Sequence, residues 1–159
     1  MIEQKLESLG IRLSNPPHPI GSYIPILQTG NLLFISGQIP LVAGSLPAKY
    51  AGKVSSVVSI NDSMDASKQC TINALEHMKN FLNSLEKISK FVKLTGYVNS
   101  DPSFQDHPKV VNGASDFLLQ VFGEKGRHTR VAVGVNSLPL NSVVEIDIIC
   151  EVAQTAKTK

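Results

Sequence analysis

The sequence predicts an α+β fold, with one mixed β-sheet and two main helices packed on one of its faces. Two long segments carry apolar residues at helical spacing. Ala66, Cys70, Ala74, Met78 and Leu82 step by four, and Val111, Ala114, Leu118, Val121 and Phe122 form a second stripe. Runs rich in β-branched and aromatic residues stand before, between and after these segments. Helices separated by a single strand, with further strands at either end, suit a sheet covered on one side. At 159 residues the chain has the length of one domain, taken as 1–159, and can bury a substantial core.

Ile2, Leu6 and Leu9 recur at helical spacing and Gly10 can end the run, which predicts a short amphipathic helix over 2–9. Pro16, Pro17 and Pro19 then impose an extended lead-in within 1–20. Residues 22–28 and 32–36 are apolar runs around Thr29-Gly30-Asn31, a hairpin signal. Residues 37–52 form a long loop of the kind that often covers a site, and 54–59 reads as a short strand. Asn61, Asp62 or Ser63 supplies a cap for the long helix that is periodic from Met64. Residues 91–98 read as a strand and Asp101-Pro102 as a turn. Pro108 suits the first turn of a helix over 107–122, which Gly123 and Gly126 stop. Residues 130–135 and 142–152 are the last two strands. An antiparallel pairing between them would bring Arg130 near the final strand. Residues 155–159 are expected to fray.

Composition narrows the function. Hydrophobic residues at 42% and charged residues at 18% exclude a disordered chain. A formal charge of +2 is too small to point to nucleic acid. No run approaches the ~18 apolar residues of a membrane span. The opening residues mix Glu3, Lys5 and Glu7 with apolar ones, unlike a signal peptide, so the expectation is a cytoplasmic protein. Cys70 and Cys150 match no zinc or redox spacing, and no histidine pair has ligand spacing, so no metal is expected. Cys70 falls on the apolar stripe and is read as core rather than nucleophile.

Three features are candidates for chemistry. Arg130 opens a strand of small and apolar residues. It is either a structural arginine, in an ion pair or with its head in water, or a planar fork for a carboxylate. In the run 143–149, Glu145 and Asp147 share one face of a strand, opposite Val144, Ile146 and Ile148. Either both carboxylates face solvent, or one lies in a cleft as a base that positions water. The third feature is Ser36-Gly37 at the end of a strand. It offers backbone N–H groups to an anion, or is ordinary strand-to-loop punctuation, and it lacks the lysine and glycine spacing of a phosphate loop.

Three stretches together resemble the Rid family (YjgF-type proteins, also labelled L-PSP endoribonucleases). They are Gly30 through Phe34-Ile35-Ser36-Gly37-Gln38 to Pro40, Asn112 with the helix after it, and Arg130 through Leu138-Pro139 to Val144-Glu145-Ile146. The resemblance spans about 21–152. It implies a chorismate-mutase-like fold and a homotrimer, with the sheets forming a central barrel and three clefts between subunits. It implies hydrolysis of reactive 2-amino enoates and 2-imino acids to 2-keto acids and ammonia, without a cofactor. By motif position, Arg130 would clamp the substrate carboxylate and Glu145 would position or activate water. Tyr23, Ser36, Gly37, Asn112 and Ala132 would line the cleft, Ser36 and Gly37 across the interface. Two departures bear on the substrate. Ala132 stands where the family often has cysteine, and the Gly-Pro-Tyr-Ser-Gln stretch reads Gly21-Ser22-Tyr23-Ile24-Pro25. The alternatives are a non-catalytic trimer that binds 2-keto acids or other carboxylates, and RNA cleavage. Against RNA cleavage stand the low charge and the lack of a basic, aromatic-interleaved cluster.

Overall fold

The computed structural model describes residues 1–16 and 21–153. The lead-in prolines Pro17 and Pro19 and the tail 155–159 lie outside the described residues. Five strands form one sheet: β1 (Ile26–Thr29), β2 (Leu32–Gln38), β3 (Ile88–Asn99), β4 (Thr129–Val135) and β5 (Val144–Val152). Three α-helices accompany them: α1 (Ile2–Ser8), α2 (Ile60–Leu82) and α3 (His107–Phe122). The sheet order is β1-β2-β5-β3-β4, with β3 and β4 parallel and the other pairs antiparallel. The α3 crossover returns the chain to the starting end of β3, which makes β3 and β4 parallel.

The last two strands do not pair with each other, contrary to expectation. β5 lies between β2 and β3, while β4 is an edge strand paired only with β3. Residues 144, 146, 148, 150 and 152 of β5 are all buried, so this strand belongs in the centre of the sheet. β4 exposes Arg130, Val131, Val133 and Gly134, a pattern an edge tolerates.

Helices α2 and α3 cover one face, α2 over β2 and β5, α3 over β3 and β4. Their stripes enclose Cys70, Leu75, Met78, Val111 and Leu118 against Leu94, Ile146 and Ile148, all at most 1% exposed. Close approach needs glycine at two places. A Cβ on Gly113 would overlap the Met64 carbonyl oxygen of α2, and one on Gly96 of β3 would overlap Val111 of α3. Among the described residues both long helices lie on that one face, and the opposite face is left open.

The helix over 107–122 agrees with the sequence reading, with Pro108 in its first turn and Gly123 after its end. α2 begins earlier than predicted. Its cap is Ser59, whose Oγ accepts from the Asp62 N–H at 3.0 Å. Residues 54–59 are accordingly not a strand. Val54 makes isolated bridges to Val58 and Ser100, in a turn that leads directly into α2. β1 starts at Ile26 rather than at 22, after Pro25, which has no N–H for the ladder.

Candidate functional site

Arg130 extends from β4 on the helix side of the sheet. Its register partner Leu94 is buried beneath the helices, and α3 presents Asn112 and Ser115 to the guanidinium. Nη1 donates to Asn112 Oδ1 at 2.7 Å and to Ser115 Oγ at 3.2 Å. A guanidinium has five N–H donors. Those on Nε and Nη2 have no hydrogen-bonded partner among the described residues, and the residue is exposed. Both hydrogen-bond partners are neutral and no carboxylate pairs with Arg130 among the described residues, so a structural ion pair is not formed, while an exposed head and an open fork both fit the geometry. Ala132, two residues on, shares this face and is partly buried against the core. Ala132 brings no thiol to this corner.

Glu145 lies on the opposite, open face. β5 alternates strictly, with Glu145, Asp147 and Ile149 half-buried on that face. The sequence expectation that both carboxylates share a face therefore holds. Tyr97 Oη of β3 donates to Asp147 Oδ2 at 3.0 Å, so Asp147 is engaged while Glu145 makes no hydrogen bond among the described residues. Burial pushes the Glu145 carboxyl above its ordinary value, and the Asp147 charge pushes it further. Between Ile35 and Gln38 the β2–β5 register shifts, a bulge that turns Gly37 toward Glu145. Any Cβ at Gly37 would overlap the Glu145 carboxylate, so glycine here makes room for it. The Ser36 hydroxyl donates to the Ile24 carbonyl at 2.8 Å, and its N–H to Pro25 O at 3.0 Å. Ser36 thus spends its donors tying down the segment that begins with exposed Tyr23.

The predicted site residues therefore fall into two groups. Arg130, Asn112 and Ala132 stand at the β4–α3 edge. Glu145, Gly37, Ser36 and the segment after Tyr23 stand at the β2–β5 end of the open face. One chain does not unite them. Arg130 is level with Ile148, two strands away, and Glu145 is three residues further along β5. Strand spacing and rise put their Cα atoms about 14 Å apart, on opposite faces of the sheet. Near the second group the open face holds a depression of about 470 Å³, lined by Phe34, Ser36, Gly37, Tyr97, Val133 and Asp147 among others.

Sequence reasoning missed two polar residues of the first group. Ser115 carried no signal on a helix stripe, and His128 looked like an isolated loop histidine, yet Ser115 Oγ and His128 Nε2 are 3.0 Å apart beside Arg130. Both cysteines are buried, and burial raises their thiols, that of Cys150 to about 12, which suits core residues. No group of three or more His, Cys, Asp or Glu converges among the described residues. Among these residues no helix is long and apolar enough to cross a membrane.

These features define a class: an α+β domain with a mixed five-stranded sheet, one face open among the described residues, and an arginine and a glutamate on opposite faces. The family model described as "YjgF/chorismate_mutase-like, putative endoribonuclease" matches residues 3–152, and the chain belongs to that family, which includes the Rid and RutC proteins. Protein TCP17 of Trypanosoma cruzi is 36% identical over 151 residues, covering 94% of this chain and 93% of its own. RutC family protein PH0854 of Pyrococcus horikoshii is 31% identical over 136 residues, 85% of this chain and 90% of its own. Among solved structures, protein Atu1372 of Agrobacterium tumefaciens, of unknown function, superposes with a TM-score of 0.88 at 40% identity, covering 96% of this chain and 92% of its own.

Proposed function

We propose that this protein is an enamine/imine deaminase. It would hydrolyse 2-amino enoates and their 2-imino tautomers to 2-keto acids and ammonia, in clefts formed between copies of the chain in a homotrimer. The observation that carries this reading is the Arg130 guanidinium, held by neutral α3 side chains with its Nε and Nη2 donors unpaired among the described residues. Such a fork suits a planar carboxylate. The imine carbon is already electrophilic, so the remaining task is to deliver one water. Glu145 suits it: a half-buried carboxylate whose basicity is raised takes a proton from water more readily than an ordinary one. Water adds to C2, the carbinolamine releases ammonia, and the 2-keto acid remains. Fixing the carboxylate and aligning one water is positioning catalysis.

The trimer is part of the proposal. The two groups face apart in one chain, so a cleft holding both needs a second copy. The bare face carries exposed Leu27, Phe34, Val131 and Val133, and β4 has an unpaired edge. A closed ring of three copies would cover the first and use the second.

The test is keto-acid and ammonia release from 2-aminoacrylate or 2-aminocrotonate generated in situ. Arg130→Ala should lower kcat/KM about 100-fold, the loss of a charge-assisted clamp. Glu145→Ala should lower kcat by about 10²–10⁴. A folded wild type that does not accelerate hydrolysis, yet binds a 2-keto acid through Arg130, would favour the non-catalytic carboxylate-binding reading.

A further inference from the structure

Arg130 does not stand alone beside α3. Its Nη1 donates to Ser115 Oγ at 3.2 Å, Ser115 Oγ lies 3.0 Å from His128 Nε2, and His128 Nδ1 lies 2.6 Å from the Gly126 carbonyl oxygen. The donors in this chain have one order. A carbonyl oxygen only accepts, so Nδ1 carries a proton. In the neutral ring Nε2 is then an acceptor, and the Ser115 hydroxyl donates to it. That leaves the Ser115 lone pairs directed to Arg130. Burial pushes the imidazole below its ordinary value and the Arg130 charge adds to this, against the Gly126 bond, which keeps the ring neutral at neutral pH. Asn112, one turn before Ser115 on the same face of α3, takes the other Nη1 hydrogen.

We propose that Ser115 and His128 are positioning residues for Arg130: a relay anchored on the Gly126 carbonyl holds one edge of the guanidinium against α3, so that the other edge is presented ready-aligned to a substrate carboxylate. The relay rests on the reading of Arg130 as a carboxylate clamp. Its physical contribution is preorganisation. A free arginine samples many rotamers, and a fork fixed before binding loses less of that freedom on contact. The neutral ring has a second use, since a charged imidazolium would turn a donor toward Ser115 and place a cation near the guanidinium.

The experiment has two readouts on the full-length protein. The first, independent of any activity, is the ¹⁵N order parameter of the Arg130 Nε–H. It should be high in wild type, fall in Ser115→Ala and in His128→Phe, and return to the wild-type value in Ser115→Thr, which keeps the hydroxyl. The second is steady-state hydrolysis of 2-aminocrotonate. Ser115→Ala should raise KM about tenfold with kcat within about twofold, the signature of weakened uniform binding. Ser115→Thr should stay within about threefold of wild type. Alanine is the better helix former, so unfolding would not explain a loss in Ser115→Ala. Equal order of Arg130 in wild type and Ser115→Ala overturns the relay whether or not the protein is a deaminase. So does Ser115→Thr behaving like Ser115→Ala. An ordered Arg130 that loosens in Ser115→Ala, in a protein without turnover, upholds the relay and removes the deaminase reading instead.

Discussion

Glu145 is costly to the fold and useful to the proposed reaction for the same reason. Its carboxyl is raised by burial and by Asp147, so the folded state holds this proton at pH values where the unfolded chain has released it. Stability therefore falls as pH rises from the ordinary glutamate value through the raised one, and it stays lower above that window. Glu145→Gln should raise Tm at pH 7, and the gain should shrink toward zero as pH falls below the ordinary glutamate value. Thermal melts of both proteins across pH 4–8 measure this; a gain that does not change with pH would contradict the assigned cause. If Glu145 is the base, kcat/KM should fall on the acid side as the free-enzyme carboxyl protonates, because the protonated carboxyl accepts nothing from water. At this scale the sequence was a good guide to residue types and a poor one to partners. Arg130 and Glu145 stand out as charges in apolar strands. The roles of Ser115 and His128 arise from an approach of α3 to the 126–130 segment, which no local pattern encodes.

Elements deliver these side chains through close packing. Asn112 and Ser115 reach Arg130 because α3 lies tight against α2, at Gly113, and against β3, at Gly96. Gly113→Ala would drive a methyl into the Met64 carbonyl and should cost about 1–3 kcal/mol, seen as a Tm lower by several degrees. A Tm equal to wild type would mean that α2 and α3 have room to spare. Gly37→Ala acts differently. It meets only the mobile end of Glu145, so it should leave Tm nearly unchanged while lowering kcat at least tenfold, as the carboxylate is displaced. Element existence was largely legible in sequence. The α2 and α3 stripes, the hairpin about Gly30 and the alternation of β5 appear as read. Sheet order was not legible. β4 and β5 follow one another in sequence, but the fully apolar inner face of β5 draws it to the centre and leaves β4 at the edge. The turn over 54–59 was misread because its β-branched residues serve local bridges rather than a ladder.

At the scale of the whole molecule, the described residues of a 17.2 kDa chain leave one sheet face open and place Arg130 and Glu145 on opposite sides of the sheet. Assembly would resolve both features. Val133 is 40% exposed on that face, on the edge strand β4, so Val133→Lys should leave the monomer folded. It should shift the sedimentation mass from three times the chain mass to one, and abolish hydrolysis with it. A monomeric wild type would contradict the barrel. Whether each site is completed by two copies is read directly by complementation. Arg130→Ala and Glu145→Ala, each inactive alone, are unfolded together and refolded as a mixture. If every cleft takes its arginine from one copy and its glutamate from the next, about a quarter of the clefts in an equal mixture hold both residues. Roughly a quarter of wild-type hydrolysis should return. Mixed trimers with no more activity than the separate variants would contradict the account.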